Sequence, residues 1–457
     1  MACEASNNQP HRSAVDTGMV GEVLDAMSPY PAIIAGGGIA GLAVALALRD
    51  CDGLILERSE TFSAAGAGLQ LGPNAIRALQ KLGAWDAVSA ITSSPPEIHI
   101  RDGVTGKCLK RLALGPSFER RFGAPYCVAH RADVHRALLE VVKSRSNLSL
   151  RMAANVTRVN SVDGGIIAFG QRDLIRPVGA PTPLRRGEGT TWRPVPSPTK
   201  LEKVDRAKPE TDEVPWVNIG DRLVDDAGVK LQVGSEVLRG SQLWATDGVH
   251  SAIRQALVPG SAPIDSGARF HRALLAKVPD VSGVATECVN LWMFPGGHVV
   301  HYPVGSASLL NIVAVVPDAI TPSMHFANAC TSLRHMVSHL ADASIWPGLY
   351  VNPLPTWQFG NITLLGDAAH GTLPYLAQGA AMALEDAAAL AGIADESSLA
   401  EAIKQRQRRT ALLHQKTLAA GRTYHLTGML GAARNAAIAL SPSVLLQNQL
   451  GWIYRNY

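Results

Sequence analysis

Residues 31–57, PAIIAGGGIAGLAVALALRDCDGLILE, leave the chain few choices of fold, because they run strand, glycine turn, helix, strand and then an acid. Ala32–Ala35 is a short apolar run suited to a buried parallel strand, and Gly36, Gly38 and Gly41 follow it in G-x-G-x-x-G spacing. Gly36 permits the tight turn, Gly38 lets backbone approach a pyrophosphate, and Gly41 lets a helix over 39–49 pack close to the sheet. The helix N-terminus then offers free N–H groups and a favourable dipole to phosphate. Gly53–Leu56 supplies the second strand, and Glu57 stands at its end, where a carboxylate can accept ribose hydroxyls. The order of these parts predicts a dinucleotide-binding unit. The rival reading of 32–48 is a membrane span, but that run is short, broken by glycine and without a basic flank.

With 457 residues the chain can bury a large core, and its length favours two or more structural units. A net charge of +4 is too mild to argue for nucleic acid, and no long basic run is interleaved with aromatics. Small-molecule chemistry is the expectation, with neither nucleic acid nor membrane as a partner. Cys3, Cys51, Cys108, Cys127, Cys288 and Cys330 are scattered, with no C-x-x-C pair and no zinc-ligand spacing, so no metal is expected. They read as thiols in a reducing compartment. Residues 1–30 lack an apolar signal core and read as a flexible tail with a short helical turn near 20–27, so a cytoplasmic location is expected.

Further along, a strand over 67–71 leads to a helix from Pro73 to about residue 82, stopped by Gly83. Segments 98–101 and 107–112 alternate around 102–106 as a hairpin. A helix over 130–142 and a strand over 148–153 restore the α/β pattern. Residues 172–215 are rich in Pro, Arg and Lys with almost no apolar periodicity, and read as a surface loop, a disordered insertion or a partner-binding arm. Segments 229–233 and 238–245 form a second hairpin leading into a buried strand. Apolar runs at 273–278, 289–294, 298–304 and 308–316 predict a largely antiparallel sheet. A strand over 362–365, a glycine turn and a helix over 379–393 follow, and the rest is helical, broken at Pro442.

Two later motifs each follow a strand. Asp247-Gly248-Val249-His250-Ser251-Ala252-Ile253-Arg254 fits D-G-x-x-S-x-x-R, and Gly366-Asp367-Ala368-Ala369-His370 is the other. Singly, each could be an ordinary helix start with Asp247, Ser251 or Asp367 as cap. Together with the first glycine turn, in this order, they resemble the FAD fingerprints of single-component flavoprotein aromatic hydroxylases, the para-hydroxybenzoate hydroxylase superfamily. The passages GAGLQLGPNAIRALQKLG, GAPYCVAHRADVHRALLE, GDAAHGTLPYLAQGAAMALEDA and GRTYHLTG are most similar to salicylate hydroxylases and their 3-hydroxybenzoate and 6-hydroxynicotinate relatives.

That resemblance implies an α/β fold with a Rossmann-type, glutathione-reductase-like FAD domain, an antiparallel-sheet substrate domain and C-terminal helices. The FAD domain would be discontinuous, over 31–92, 126–171, 223–262 and 355–395. The substrate domain would take 93–125 and 263–354, leaving 172–222 as an insertion and 396–457 as a helical end. It further implies that Glu57 binds the adenosine ribose, that Arg131 contacts phosphate or ribityl, and that Asp367 bonds the ribityl chain. Asp247 and Arg254 would serve both FAD and the nicotinamide nucleotide. Gly36, Gly38, Ala40, Gly41, Arg58, Gly366, Gly379 and Ala380 complete the implied cofactor set. Three positions depart from the family pattern, the first being Ala245 where Gly is usual. Thr246 stands where Ala is usual and adds bulk near the cofactor, and Gly371 replaces a common Pro and loosens its turn.

The implied reaction uses NADH or NADPH to reduce FAD, forms a flavin C4a-hydroperoxide with molecular oxygen, and hydroxylates a phenolic aromatic acid, salicylate first. Other candidate substrates are 3-hydroxybenzoate, 6-hydroxynicotinate, a quinolone or a polyketide phenol, and a flavin-binding protein that no longer hydroxylates is the alternative from another class. Water must be excluded. The stretch 373–379 suits the flavin face, with Pro374 stiffening the turn and Gly379 opening a helix toward reduced flavin. His301 or Tyr302 is the candidate base or donor, at most one of them directed at the ring because strand neighbours point oppositely. Gln378 is a further candidate substrate contact, and His370 reads as structural. The chain is expected to act as a monomer or homodimer.

Overall fold

Short apolar runs set the first layer. The computed structural model describes residues 30–49, 51–62, 67–160, 166–168, 229–276, 281–305, 309–393 and 395–454. The helical turn expected near 20–27 and the insertion over 172–222 lie outside the described residues. Ala32–Ala35 pairs in parallel with Gly53–Leu56 on one side and Leu243–Ala245 on the other. Leu148–Arg151 and Ile362–Leu364 extend this parallel sheet, and Gln358–Phe359 closes one edge antiparallel. Helices Ile39–Ala47, Arg131–Lys143 and Gly379–Leu390 pack about it. Ile33, Ile34, Leu42, Leu46, Ile55 and Leu243 are completely buried there. Burial on this scale is worth about 1.5–3 kcal/mol per large side chain.

A second sheet of seven strands lies in the order 344–350, 264–275, 309–317, 297–304, 289–294, 97–102, 108–113. It is antiparallel except where Val289–Phe294 runs parallel to Glu97–Asp102. One face packs on helices Pro322–His325 and Thr331–Ser338 through Trp292, Phe294, Ile312, Phe326, Leu333 and Met336. The opposite face meets a two-stranded ribbon, Gly68–Leu71 with Cys127–His130, through Tyr126, Val128, Val289, Tyr302 and Val304. A four-stranded antiparallel sheet collects Val156–Asn160, Ile166–Ala168, Val229–Val233 and Glu236–Gly240. The fold is the mixed α/β arrangement expected.

Boundaries shift where tertiary contacts outweigh local pattern. The first helix ends at Ala47, not at residue 49, and the last strand of the parallel sheet stops at Arg151. The run 238–245 is cut at Ser241–Gln242 because its halves join different sheets. The strand expected from 273 begins at Ile264, and the helix expected to reach 393 ends at Leu390. The C-terminal helices Glu396–Tyr424, Gly428–Leu440 and Ser443–Tyr454 have a second break ahead of Gly428, besides the one at Pro442. Ser344–Tyr350 carries Pro347 and Gly348, which hide it from periodicity but are tolerated on a sheet edge. No single helix among the described residues is long and apolar enough to cross a membrane.

Candidate active site

Four of the five parallel strands deliver a motif at their carboxyl ends: Gly36 after Ala35, Glu57 after Leu56, Asp247 after Ala245 and Gly366 after Leu364. This is where open α/β sheets bind ligands. Gly36 has φ +111°, and a Cβ there would lie 2.6 Å from the Thr246 carbonyl oxygen. At Gly41 a Cβ would stand 1.8 Å from the Gly36 carbonyl oxygen, which is why the helix needs glycine to reach the turn. Gly38 is different: an added Cβ meets nothing within 4 Å, and the same is true at Gly248 and Gly379. Gly38 caps the Ile39–Ala47 helix and Gly379 begins the Gly379–Leu390 helix, so two helix N-termini open onto free space.

The turn is clamped from both sides. The Gly37 N–H donates to Glu57 Oε2 (2.8 Å), and the Ser59 N–H donates to Oε1 (2.9 Å). His135 Nε2 donates to the Gly37 carbonyl (2.7 Å), its ring 4.4 Å from that of Phe62. Burial lowers the pKa of His135 from its ordinary value, which suits a neutral donor. Each Glu57 oxygen keeps a second lone pair for a hydroxyl ligand. Arg58, Arg131 and Asp367 are exposed, and Ala40 and Ala380 are half-buried.

Asp247 Oδ2 accepts from the Ala252 N–H (3.0 Å) and the Ile253 N–H (3.4 Å), while its buried Oδ1 has no partner among the described residues. Burial raises the pKa of this carboxyl. Arg254 is completely buried and donates to the carbonyls of Val249 (2.6 Å), Ser261 (3.0 Å) and Ala368 (3.1 Å), tying the D-G-x-x-S-x-x-R loop to the Gly366 turn. The Thr246 hydroxyl donates to Ala35 O (2.9 Å) and Gly36 O (3.1 Å). The bulk expected to crowd the cofactor is thus folded back between strand ends. Gly371 has φ −45°, an ordinary turn value rather than a loosened one, and a Cβ there would meet Val249 Cγ2 at 2.9 Å.

Behind the groove lies an ionic network that motif spacing did not reveal. Asp386 Oδ2 accepts from the Gly366 N–H (3.0 Å) and from His370 Nε2 (2.5 Å), and Oδ1 accepts from Arg406 Nε (2.8 Å). Glu385 accepts from Arg406, Arg409 and Asn74. Burial pushes both carboxyls up, but the arginines, and His370 for Asp386, outweigh it and hold them below their ordinary values. Gln378 is buried and its Oε1 accepts from Asn74 Nδ2 (2.9 Å). The expected substrate contact by Gln378 is corrected accordingly, since its oxygen is committed inside the protein.

Strand alternation divides the other candidates. Tyr302 points toward the ribbon, where a Cβ on Gly68 would lie 2.8 Å from its hydroxyl. Burial raises its pKa, so it stays a protonated phenol. His301 points to the opposite face, its ring 6.3 Å from that of Trp292 and both nitrogens without partners among the described residues. Burial, with Arg101 and His99 nearby, lowers its pKa to about 3. His301 as a ring-directed base is therefore corrected: a sheet separates it from the groove.

On the face of Tyr302, one cross-strand row, Arg272–Val313–Val300–Leu291, stays half-buried. The rows beside it, with Phe270, Val315 and His298 on one side and Asn311 and Tyr302 on the other, are buried. The half-buried row is a candidate floor for a substrate pocket, being less covered than the rows beside it. Pro374–Leu376, a 3-10 turn with Pro374 exposed, approaches from the groove, its Tyr375 ring 6.0 Å from Phe270 and 5.4 Å from His298. His298 Nδ1 lies 2.8 Å from His425 Nε2. Gln70 accepts from the Tyr126 hydroxyl (2.5 Å). Two buried donors have no partner among the described residues, Arg272 Nε and Asn311 Nδ2, although Asn311 Oδ1 accepts from the Gly68 N–H (2.8 Å). Away from this pocket, Glu97, His99 and Cys288 bring ligand-type atoms within 4.8 Å of one another, a trio that cysteine spacing does not reveal.

A dinucleotide groove opening onto an antiparallel sheet with a half-buried floor defines a two-part oxidoreductase. Residues 330–417 match the family model described as an FAD binding domain. The chain is 30% identical over 410 residues to a 3-amino-4-hydroxybenzoate 2-monooxygenase of Streptomyces cremeus, covering 86% of this chain and 87% of the relative. It is 26% identical over 450 residues to a 3-hydroxybenzoate 6-hydroxylase of Polaromonas naphthalenivorans, covering 94% and 97%. Klebsiella pneumoniae HpxO, solved with FAD and uric acid, shares the fold with a TM-score of 0.71 at 20% identity, covering 95% of this chain and 99% of that one. The chain belongs to the FAD-dependent aromatic hydroxylases. FAD is its cofactor.

Proposed function

We propose that this protein hydroxylates a small phenolic aromatic acid with NAD(P)H and molecular oxygen. The observation that carries this reading is Arg272: a guanidinium beside the pocket floor whose buried Nε lacks an acceptor, next to the equally unpartnered Asn311 Nδ2. Buried donors without acceptors are costly, about 1–3 kcal/mol each and more when charged, so a site keeps them for a ligand that supplies the acceptor. A carboxylate fits a guanidinium in both charge and shape.

The groove suits FAD on the features of this chain: open space above Gly38, Gly248 and Gly379, two helix N-termini, and the unpartnered Asp247 Oδ1. We assign Glu57 to the ribose, Arg131 to phosphate or ribityl, Asp367 to ribityl, and the discontinuous unit 31–92, 126–171, 223–262 and 355–395 to the cofactor. Segments 93–125 and 263–354 carry the substrate. Bound FAD supplies the electron transfer and oxygen activation that side chains cannot. The protein's part is placement. Arg272 and Asn311 hold the acid group, Val300, Val313 and Leu291 give the ring a dry apolar floor, and Tyr302, kept protonated, donates a hydrogen bond rather than taking a proton. Arg254 acts as a positioning residue for the Asp247 loop.

Among substrates, salicylate, 3-hydroxybenzoate, 3-amino-4-hydroxybenzoate and 6-hydroxynicotinate form the panel, the last three because proteins similar to this chain bear those activities in their names. The test is NADH and NADPH oxidation by the yellow protein with each compound, with oxygen uptake and product read together. Stimulation with product formed one-to-one with NAD(P)H identifies the substrate. Bound FAD with no stimulation by any acid, but stimulation by an uncharged phenol, defeats the role of Arg272.

A further inference from the structure

A carboxylate, an imidazole and a thiol meet behind the second sheet. Glu97 and His99 stand two apart on one strand, so both side chains leave it on the same face. The neighbouring strand runs parallel, with Val289 opposite Ile98 and Asn290 opposite His99, which brings Cys288 level with Glu97. Asn290 is in turn opposite His301, so the group lies on the His301 face, away from the groove. One ligand-type atom from each of Glu97, His99 and Cys288 lies within 4.8 Å of the other two. His99 and Cys288 are buried, while the Glu97 side chain is 33% exposed and opens the group to solvent on one side.

The group is short of a partner. His99 Nε2 lies 2.6 Å from Glu97 Oε2, but His99 Nδ1 is buried with no partner among the described residues, a costly omission in either tautomer. The guanidinium of Arg101, on the same face, is spent elsewhere, donating to Asn290 Oδ1 (2.9 Å) and the Gly283 carbonyl (2.8 Å).

We propose that Glu97, His99 and Cys288 hold a zinc ion, with water from the exposed side as the fourth ligand. Carboxylate oxygen, imidazole nitrogen and thiolate sulfur are the donors that zinc accepts, and it takes three of them tetrahedrally with an open fourth position. The thiolate turns the site against magnesium and calcium, and the carboxylate suits it poorly to copper(I). Charge balances as well: one thiolate and one carboxylate neutralise a divalent ion, as a buried site requires. The Cys288 thiol gives its proton to solvent as the ion binds. Zinc sets such donors roughly 3.3–3.8 Å apart, so His99 and Glu97 part and Cys288 closes in by about 1 Å, a side-chain adjustment that leaves both strands in place.

The ion serves structure. Glu97–Asp102 and Val289–Phe294 are the one parallel pair of this sheet, with no hairpin to hold them in register. A clip between Cys288 and the Glu97–His99 pair closes that long connection at the point where the second strand begins.

Dialysis of tag-free, FAD-loaded protein against about 1 µM free zinc, followed by metal analysis, tests this. One zinc per flavin is expected. Cys288→Ala and His99→Gln are each expected to weaken zinc binding by about 100-fold or more with flavin content unchanged, since even an outer partner of a metal ligand is worth about 10- to 100-fold. Cys51→Ala, at an exposed thiol, is expected to keep the ion. Glu97→Gln, at a partly exposed position, provides the same test should the buried variants fail to fold. Cobalt in place of zinc is expected to add a thiolate charge-transfer band to the difference spectrum. A wild type that retains no zinc overturns the proposal, as does zinc that all three ligand variants keep, or bound cobalt without the thiolate band.

Discussion

At the nucleotide groove the deciding contacts are backbone against backbone: Gly41 against the Gly36 carbonyl, Gly36 against the Thr246 carbonyl, Gly37 held at both its N–H and its C=O. On the pocket floor they are side-chain ends, Arg272, Asn311, Tyr302 and the valines, brought together from strands paired across the second sheet. Backbone geometry tolerates almost no change and recognises the part of the ligand that never varies. Side-chain ends can be exchanged without disturbing the sheet, which suits them to a partner that varies. The groove should therefore break all at once, and the pocket by degrees.

The largest effect is expected from Gly41→Ala, whose Cβ would collide with a carbonyl that cannot rotate away. Flavin per chain after gel filtration should fall to background, while Gly38→Ala, facing open space, should retain most of it. If both behave alike, the distinction between closed and open glycines fails. Next comes Asp386→Ala, which strips Arg406 and His370 of a buried partner. Urea unfolding should show a loss of about 3–5 kcal/mol. On the pocket side, Arg272→Met should raise KM for an acidic substrate about 10- to 100-fold through loss of a charge-assisted hydrogen bond, with flavin content unaltered. A fall in kcat alone would place Arg272 elsewhere in the cycle.

Smaller still is a pH effect. Burial first, then His325 and Arg434, lowers His425 to about 4 from an unfolded value of 6.5. Between these values the unfolded chain binds the proton and the folded chain does not, so stability is complete above about pH 6.5 and declines as pH falls toward 4. Thermal midpoints measured over that range should slope less steeply in His425→Gln. Least of all, His301→Leu should leave kcat within about twofold, because His301 lies behind the sheet, on the face away from the groove.

The groove was legible in the sequence because its signals are local. Gly36, Gly38, Gly41 and Glu57 fall within one strand–turn–helix–strand unit, and the later Asp247 and Gly366 motifs each sit directly after a strand that periodicity shows. What escaped was long-range. Arg272 looks like any charged residue until its strand is paired and its face is known. Thr246 reads as bulk near the cofactor until its hydroxyl is seen bonded to Ala35 and Gly36. Glu385 and Asp386 lie on a helix that any amphipathic rule would place half in water, and only Arg406 and Arg409, arriving from the next helix, make their burial sensible. His301 and Tyr302 illustrate the same limit: alternation says that they part company, but not which faces the groove.

The neighbours of Ala32–Ala35 in the parallel sheet carry a cost in time. Gly53–Leu56 follows at once, but the other edge of this apolar strand stays open until Leu243–Ala245 arrives, and that strand in turn waits for Ile362–Leu364. At ordinary synthesis rates the intervening stretch of about 200 residues takes roughly 10–40 s to emerge. For that interval the nascent chain exposes an unpaired Ala-Ile-Ile-Ala edge beside an incomplete groove. Slower growth at low temperature and plentiful chaperone should therefore improve recovery of the yellow protein more than added flavin does.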